Sequence, residues 1–164
     1  GKAVLRRARS FAMRLLGCDI VEIAPDFLLE HGVEMTTLED LLMRADFVSL
    51  NCDLNPTSYH LINQRTLAMM KPDGILINTS RGPVVDEAAL VQALQNNIIA
   101  GAALDVFEFE PIRTDHPLLQ MDNVMLAPHN ANSSSVAWQR VHRSTISNLL
   151  IGLGLTPPSE YPPF

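Results

Sequence analysis

Arg81 is the first side chain placed where a fold could use its charge, within Gly74-Ile75-Leu76-Ile77-Asn78-Thr79-Ser80-Arg81-Gly82-Pro83-Val84-Val85-Asp86-Glu87. Ile75 to Ile77 form a short apolar run bounded by Pro72-Asp73-Gly74 and by Asn78-Thr79-Ser80. That pattern predicts a strand covered on both faces in a parallel sheet. Arg81 then sits just past the strand's C-terminal end. Ligands of open α/β sheets bind in the crevice beyond those ends, so a planar guanidinium fork there is placed to meet an anionic substrate or phosphate. Asp86 and Glu87 follow as the N-cap and first-turn acid of a helix containing Leu90, Val91 and Leu94.

The elements that must position such residues alternate along the chain. Val4, Leu5, Ala8, Phe11 and Ala12 recur at helical spacing opposite Arg6, Arg7 and Arg9, which predicts an amphipathic helix over residues 2–11. Strands are expected at 14–19, 32–35, 46–50, 75–77, 98–106 and 124–126. Helical patterns fall around 27–29, after Thr36-Thr37-Leu38-Glu39 with its capping-box spacing, over 63–70, after Asp86, and from Ser133-Ser134-Ser135 to about 150. Asn51 to Thr57 and the region 114–119 read as loops, the second with a helical turn. Strands alternating with helices make this an α/β chain with a mostly parallel sheet.

Bulk properties narrow the classes. A chain of 164 residues, 47% hydrophobic and 18% charged, is one globular domain rather than a disordered segment. A net charge of −6 leaves no basic stripe for nucleic acid or an anionic membrane. No apolar run reaches membrane-spanning length and no signal peptide is evident, so a cytoplasmic protein is expected. Cys18 and Cys52 make neither a disulfide framework nor a zinc pattern; both are expected as reduced thiols, and no metal site is expected.

Three motifs in order, Ile77 to Asp86, Gly101-Ala102-Ala103-Leu104-Asp105-Val106-Phe107-Glu108-Phe109-Glu110-Pro111, and Asn123-Val124-Met125-Leu126-Ala127-Pro128-His129, resemble the nucleotide-binding domain of the D-isomer-specific 2-hydroxyacid dehydrogenases. The resemblance implies a doubly wound, Rossmann-like sheet, incomplete at its N-terminus. Gly1 matches the last glycine of the family's dinucleotide turn, and the first strand would precede it. Without that central strand the sheet should fall into two halves with unpaired edges, and the chain is expected to be part of a longer polypeptide. Residues 1–152 would be a partial dinucleotide-binding domain and 153–164 a proline-rich tail.

The same resemblance implies chemistry. Arg81 would fix a substrate carboxylate, His129 would protonate the carbonyl oxygen of a 2-oxo acid, and Glu110 would orient the imidazole and favour its charged form. Asp105 resembles the carboxylate that meets the nicotinamide amide, and Thr79, Ser80, Cys52 and Asn130 resemble further cofactor contacts. Asp19, 18 residues after Gly1 at the end of the second strand, would accept the adenosine ribose hydroxyls and so favour NAD over NADP. Family members often carry proline where this chain has Asp53, which puts a second carboxylate near the cofactor edge. The expected partners are NAD, a small 2-oxo or 2-hydroxy acid and a second copy of the chain.

Taken singly, each residue has an ordinary reading. An arginine after a strand is most often a solvated surface group, and His129 alone is equally a core histidine. Glu110-Pro111 is a common loop pair, Asp105 a cap, and Asp19 a strand-end acid. Thr79, Ser80 and Asn130 are frequent turn formers, and Cys52 suits a buried small hydrophobe. His31, His60, His116 and His142 are expected in structural or surface roles. A rival function, a dinucleotide-sensing interaction module like the corepressors that share this fold, differs from an enzyme in binding NADH without turnover.

Overall fold

A computed structural model describes residues 1–159; Pro162-Pro163 of the expected tail lie outside them. The chain divides into two compact units, one spanning Gly1–Pro128 and the other beginning at His129.

In the first unit all strand pairings are parallel. They form two sheets: β1 (Leu15–Gly17) with β2 (Val33–Met35), and β3 (Phe47–Leu50), β4 (Ile75–Asn78), β5 (Gly101–Leu104) and β6 (Val124–Leu126) in sequence order. The parallel α/β architecture expected from the alternation of strands and helices is present. Parallel neighbours need crossovers, and these are supplied by α2 (Pro25–His31), α4 (Gln64–Leu67) and α5 (Glu87–Gln95), with a 3-10 turn at Pro117–Gln120 before β6. The remaining helices of this unit are α1 (Lys2–Arg9) and α3 (Leu38–Arg44).

The main core packs the four-stranded sheet with α3, α4 and α5. Leu42, Ile62, Leu67, Leu76, Leu90 and Ile99 are essentially inaccessible. Each such side chain stabilises by roughly 1.5–3 kcal/mol relative to exposure. A smaller cluster of Leu15, Phe27 and Val33 serves the two-stranded sheet, with Leu5 and Ala8 of α1 against it.

Five elements differ from the pattern-based expectation. Strand β1 ends at Gly17, so Asp19 lies two residues beyond it and not at its end. Helix α1 stops at Arg9, so Phe11 and Ala12 lie beyond it, and Phe11 is exposed. The cap of α3 is Thr37, whose hydroxyl accepts from Asp40 N–H at 3.2 Å; the neighbouring Thr36 instead donates to the Asp40 carboxylate at 2.6 Å. Helix α4 closes after a single turn, held by a capping box between Asn63 and Thr66. Strand β5 (Gly101–Leu104) is shorter than 98–106 at both ends, and at its start the chain is still closing α5. Ile98 N–H returns to Ala93 O and Asn97 N–H to Leu94 O, with Asn97 left-handed at φ 54°, the pairing of a Schellman cap.

Among its described residues, the second unit carries α6 (Ser135–Gly152), capped by the Ser134 hydroxyl at Ala137 N–H. No residue of α6 is buried. No helix among the described residues is long and apolar enough to cross a membrane.

Candidate active site

Register explains why the first-unit candidates gather. Leu50 pairs with Asn78 and Asn78 with Leu104, so β3, β4 and β5 end level with one another. The residues that follow, 51–54, 79–81 and 105–107, therefore leave the sheet along one rim. There, Leu50, Asn51, Cys52, Asp53, Leu54, Thr79, Ser80 and Arg81 line a cleft of about 600 Å³. Cys52, Thr79, Ser80 and Arg81 are thus brought together as expected, and Asp53 joins them.

The Arg81 turn is built on Asn78, a polar side chain only 1% exposed. Its Nδ2 donates to Arg81 O at 3.0 Å, while its Oδ1 accepts from Ser80 N–H at 3.0 Å and from the Ser80 hydroxyl at 3.1 Å. One buried amide thus closes the turn with all its bonds local, and its loss would strand buried backbone groups at a cost of about 1–3 kcal/mol. The Arg81 side chain is exposed, with Nη1 donating to Ser80 O at 2.6 Å.

Glycine is required at position 82 by a close approach. A Cβ there would lie 1.8 Å from Phe107 O and 2.5 Å from Glu108 N, so the Arg81 turn is pressed against the chain leaving β5. That chain carries Glu110, whose Oε1 accepts from Phe107 N–H at 3.0 Å. The Gly82 contact is what brings the Arg81 and Glu110 segments side by side. Asp105 is buried, and its N–H donates to Asn78 O at 3.0 Å, which places it at the junction of the two segments.

The opposite lip is the loop after β3. Buried Ser58 fastens it by donating to Asp53 O at 2.5 Å and accepting from Asn55 N–H at 2.9 Å. Burial, and then the Asp53 and Asp19 carboxylates, push the Cys52 thiol above its ordinary value, against a lowering backbone hydrogen bond. Asp19 lies in the chain leaving β1, two residues beyond its end at Gly17. Its Oδ1 accepts from Val21 N–H at 3.1 Å, so the carboxylate is oriented by its own turn. Gly1, at the start of α1, also packs here: a Cβ added to it would lie 3.8 Å from Asn51 Cβ.

His129 and Asn130 belong to the second unit. Both are exposed, and His129 holds a left-handed backbone at φ 52°, an uncommon conformation for a residue other than glycine. The four other histidines have partners of their own. His60 meets Glu108, His116 meets Glu87, His31 meets Arg6 and Phe27, and His142 lies 5.6 Å from the Trp138 ring. No cluster of metal-ligating side chains occurs among the described residues.

Sequence reasoning did not single out Asn78 or Gly82 as site builders. Asn78 carried a signal, a polar residue ending an apolar run; the Gly82 contact is tertiary and had none.

The site can be tested for a dinucleotide on its own features. The open cleft is lined by Thr79 and Ser80 at one lip and by Asn51 and Asp53 at the other, residue types whose donors and acceptors suit ribose and amide groups. Comparison with known proteins agrees. The family described as D-isomer specific 2-hydroxyacid dehydrogenase, NAD binding domain, matches residues 1–131. A glyoxylate reductase of Korarchaeum cryptofilum is 49% identical over 150 residues, covering 92% of this chain and 45% of the relative. One from Thermofilum pendens is 45% identical over 160 residues, covering 97% and 47%. Among solved structures, D-mandelate dehydrogenase of Rhodotorula graminis superimposes with a TM-score of 0.84 at 32% identity, covering 91% of this chain and 44% of that one. D-lactate dehydrogenase from Aquifex aeolicus, complexed with NAD and lactic acid, gives 0.83 at 32% identity, covering 94% and 50%. The chain spans less than half the length of these curated relatives.

Proposed function

The chain belongs to the D-isomer specific 2-hydroxyacid dehydrogenases, as their NAD binding domain, and from that premise we propose that it serves an NAD-dependent oxidoreductase acting on a small D-2-hydroxy acid or 2-oxo acid. The observation that carries the reading is the cleft at the level ends of β3 and β4, with Arg81 displayed on one lip and the Glu110 segment pressed against its turn.

In this reading Asp19 holds the adenosine ribose hydroxyls, and its charge disfavours a 2′-phosphate. Cys52, Thr79, Ser80, Asp105 and Asn130 line the remaining cofactor path. NADH, when bound, supplies the hydride. Arg81 presents its fork to the substrate carboxylate and orients the carbonyl carbon. His129 gives a proton to the carbonyl oxygen as negative charge develops there, and takes it back in the oxidative direction. Glu110 takes the role of the carboxylate that orients this proton donor.

Residues 1–152 are the cofactor domain in this proposal. The apolar side chains exposed on α6, among them Val136, Trp138, Val141, Leu149 and Ile151, support a homodimer. The acidic balance and the free thiols of Cys18 and Cys52 support a cytoplasmic protein that binds no nucleic acid.

The test is NADH oxidation by the intact protein with glyoxylate or hydroxypyruvate. Arg81→Ala and His129→Ala should each lower kcat/KM by about 100-fold or more. Wild-type rates in both variants would overturn the assignment, and NADH binding without turnover of any 2-oxo acid would favour a dinucleotide-sensing module.

A further inference from the structure

Four titratable side chains outside the cleft are interlocked. Glu87 opens α5, and Glu108 stands two residues before Glu110. Each carboxylate accepts the other residue's backbone N–H: Glu87 N–H donates to Glu108 Oε2 at 3.3 Å, and Glu108 N–H to Glu87 Oε2 at 3.1 Å. The remaining oxygen of each meets an imidazole. His60 Nε2 lies 2.9 Å from Glu108 Oε1, and His116 Nε2 lies 3.1 Å from Glu87 Oε1. The His116 tautomer follows from its other nitrogen: Nδ1 accepts Leu118 N–H at 3.3 Å, so the proton resides on Nε2 and is donated to Glu87.

Two neighbouring carboxylates repel, and here two amide donors and two imidazoles offset that repulsion. With Glu87 13% and Glu108 17% exposed, these bonds form largely away from bulk water, where leaving one unmade is costly. The cluster joins four separated stretches: the loop before α4, the start of α5, the chain leaving β5 and the turn at His116. The Arg81 turn is fastened to the same assembly, because His60 N–H donates to Pro83 O at 2.9 Å and Gly82 abuts Phe107 and Glu108.

We propose that Glu108 and Glu87, each held by its histidine, are positioning residues that fix the Glu110 segment against the Arg81 turn. They act through Glu110 and Arg81, and the role rests on the 2-hydroxyacid reaction proposed above. A cluster that merely held the fold together would, when broken, reduce the amount of folded protein and leave turnover per folded site unchanged.

Steady-state kinetics on the intact protein, with sites counted by NADH titration, separate the two. Glu108→Ala should lower kcat per site by about 10–100-fold, as expected for a catalytic group displaced by about an ångström. Its NADH affinity should stay within about twofold of wild type. Glu108→Gln, whose amide oxygen still accepts Glu87 N–H, should recover most of the loss. His60→Asn should give a smaller loss of the same kind, and it carries the test if Glu108→Ala does not fold. Arg81→Ala belongs in the same series. Wild-type turnover in that variant would refute the underlying reaction. An impaired Arg81→Ala beside Glu108→Ala or His60→Asn with wild-type kcat per site would refute the positioning role alone.

Discussion

Gly82→Ala isolates the contact that sets the Arg81 segment against the Glu110 segment. The φ of Gly82 lies outside the left-handed region, so an alanine meets no backbone penalty, and the whole effect must come from the added methyl. That methyl would start 1.8 Å from Phe107 O and 2.0 Å from Phe107 C. Relief to a tolerable C···O contact of about 3.3 Å requires the two backbones to part by roughly 1.5 Å. Overpacking of this kind costs about 1–3 kcal/mol, which for a protein of this size lowers Tm by roughly 2–4 °C per kcal/mol. The catalytic consequence should be larger, because an ångström of misplacement can cost about 100-fold in rate. In the intact protein we therefore expect kcat with glyoxylate to fall by about 100-fold in a variant that still melts cooperatively and still binds NADH. A folded Gly82→Ala variant with wild-type kcat would show that the spacing of these two segments does not govern the reaction.

Two further outcomes follow from the cleft. Asp19→Ala should raise the ratio of kcat/KM for NADPH over NADH by about fivefold or more, since a carboxylate within a few ångströms of a 2′-phosphate repels it by ~1 kcal/mol or more; an unchanged ratio would remove Asp19 from the cofactor's ribose end. The Cys52 thiol is pushed above its ordinary value by burial and by Asp53 and Asp19, so the neutral form dominates at pH 8 and the thiolate is scarce. Iodoacetamide should label Cys52 more slowly than a free thiol at pH 8, faster as pH rises past 9, and more slowly again when NADH fills the cleft. Labelling indifferent to NADH would place the cofactor elsewhere.

Much of this architecture was legible because its signals are local. The Ile75–Ile77 run announces β4, Asp86 and the Ser133–Ser135 run announce their helices, and the alternation of strands with helices announces a parallel sheet. The position of Arg81 at a strand exit followed from the same run. Sequence could not distinguish Glu108 from Glu110 by surroundings, since both are acids in one loop. Their difference lies in which backbone and imidazole partners arrive from residues 48 and 21 positions away. The length of β5 was overestimated for a related reason. Ile98 looks like a strand residue, but its N–H is taken by the hydrogen bond that closes α5 on Ala93 O. Asp53, which stands where family members often carry proline, lies on the cleft lip.

The division of the sheet also matters at the bench. Among the described residues, strand β3 is hydrogen-bonded to β4 alone and β1 to β2 alone, and Phe47 on β3 is half exposed. Each strand therefore presents a bare border of amides and carbonyls to which another extended chain can attach. Handled by itself at high concentration, this polypeptide will tend to stick along those borders, and a sizing column would record the aggregate as an assembly unrelated to the one expected through α6.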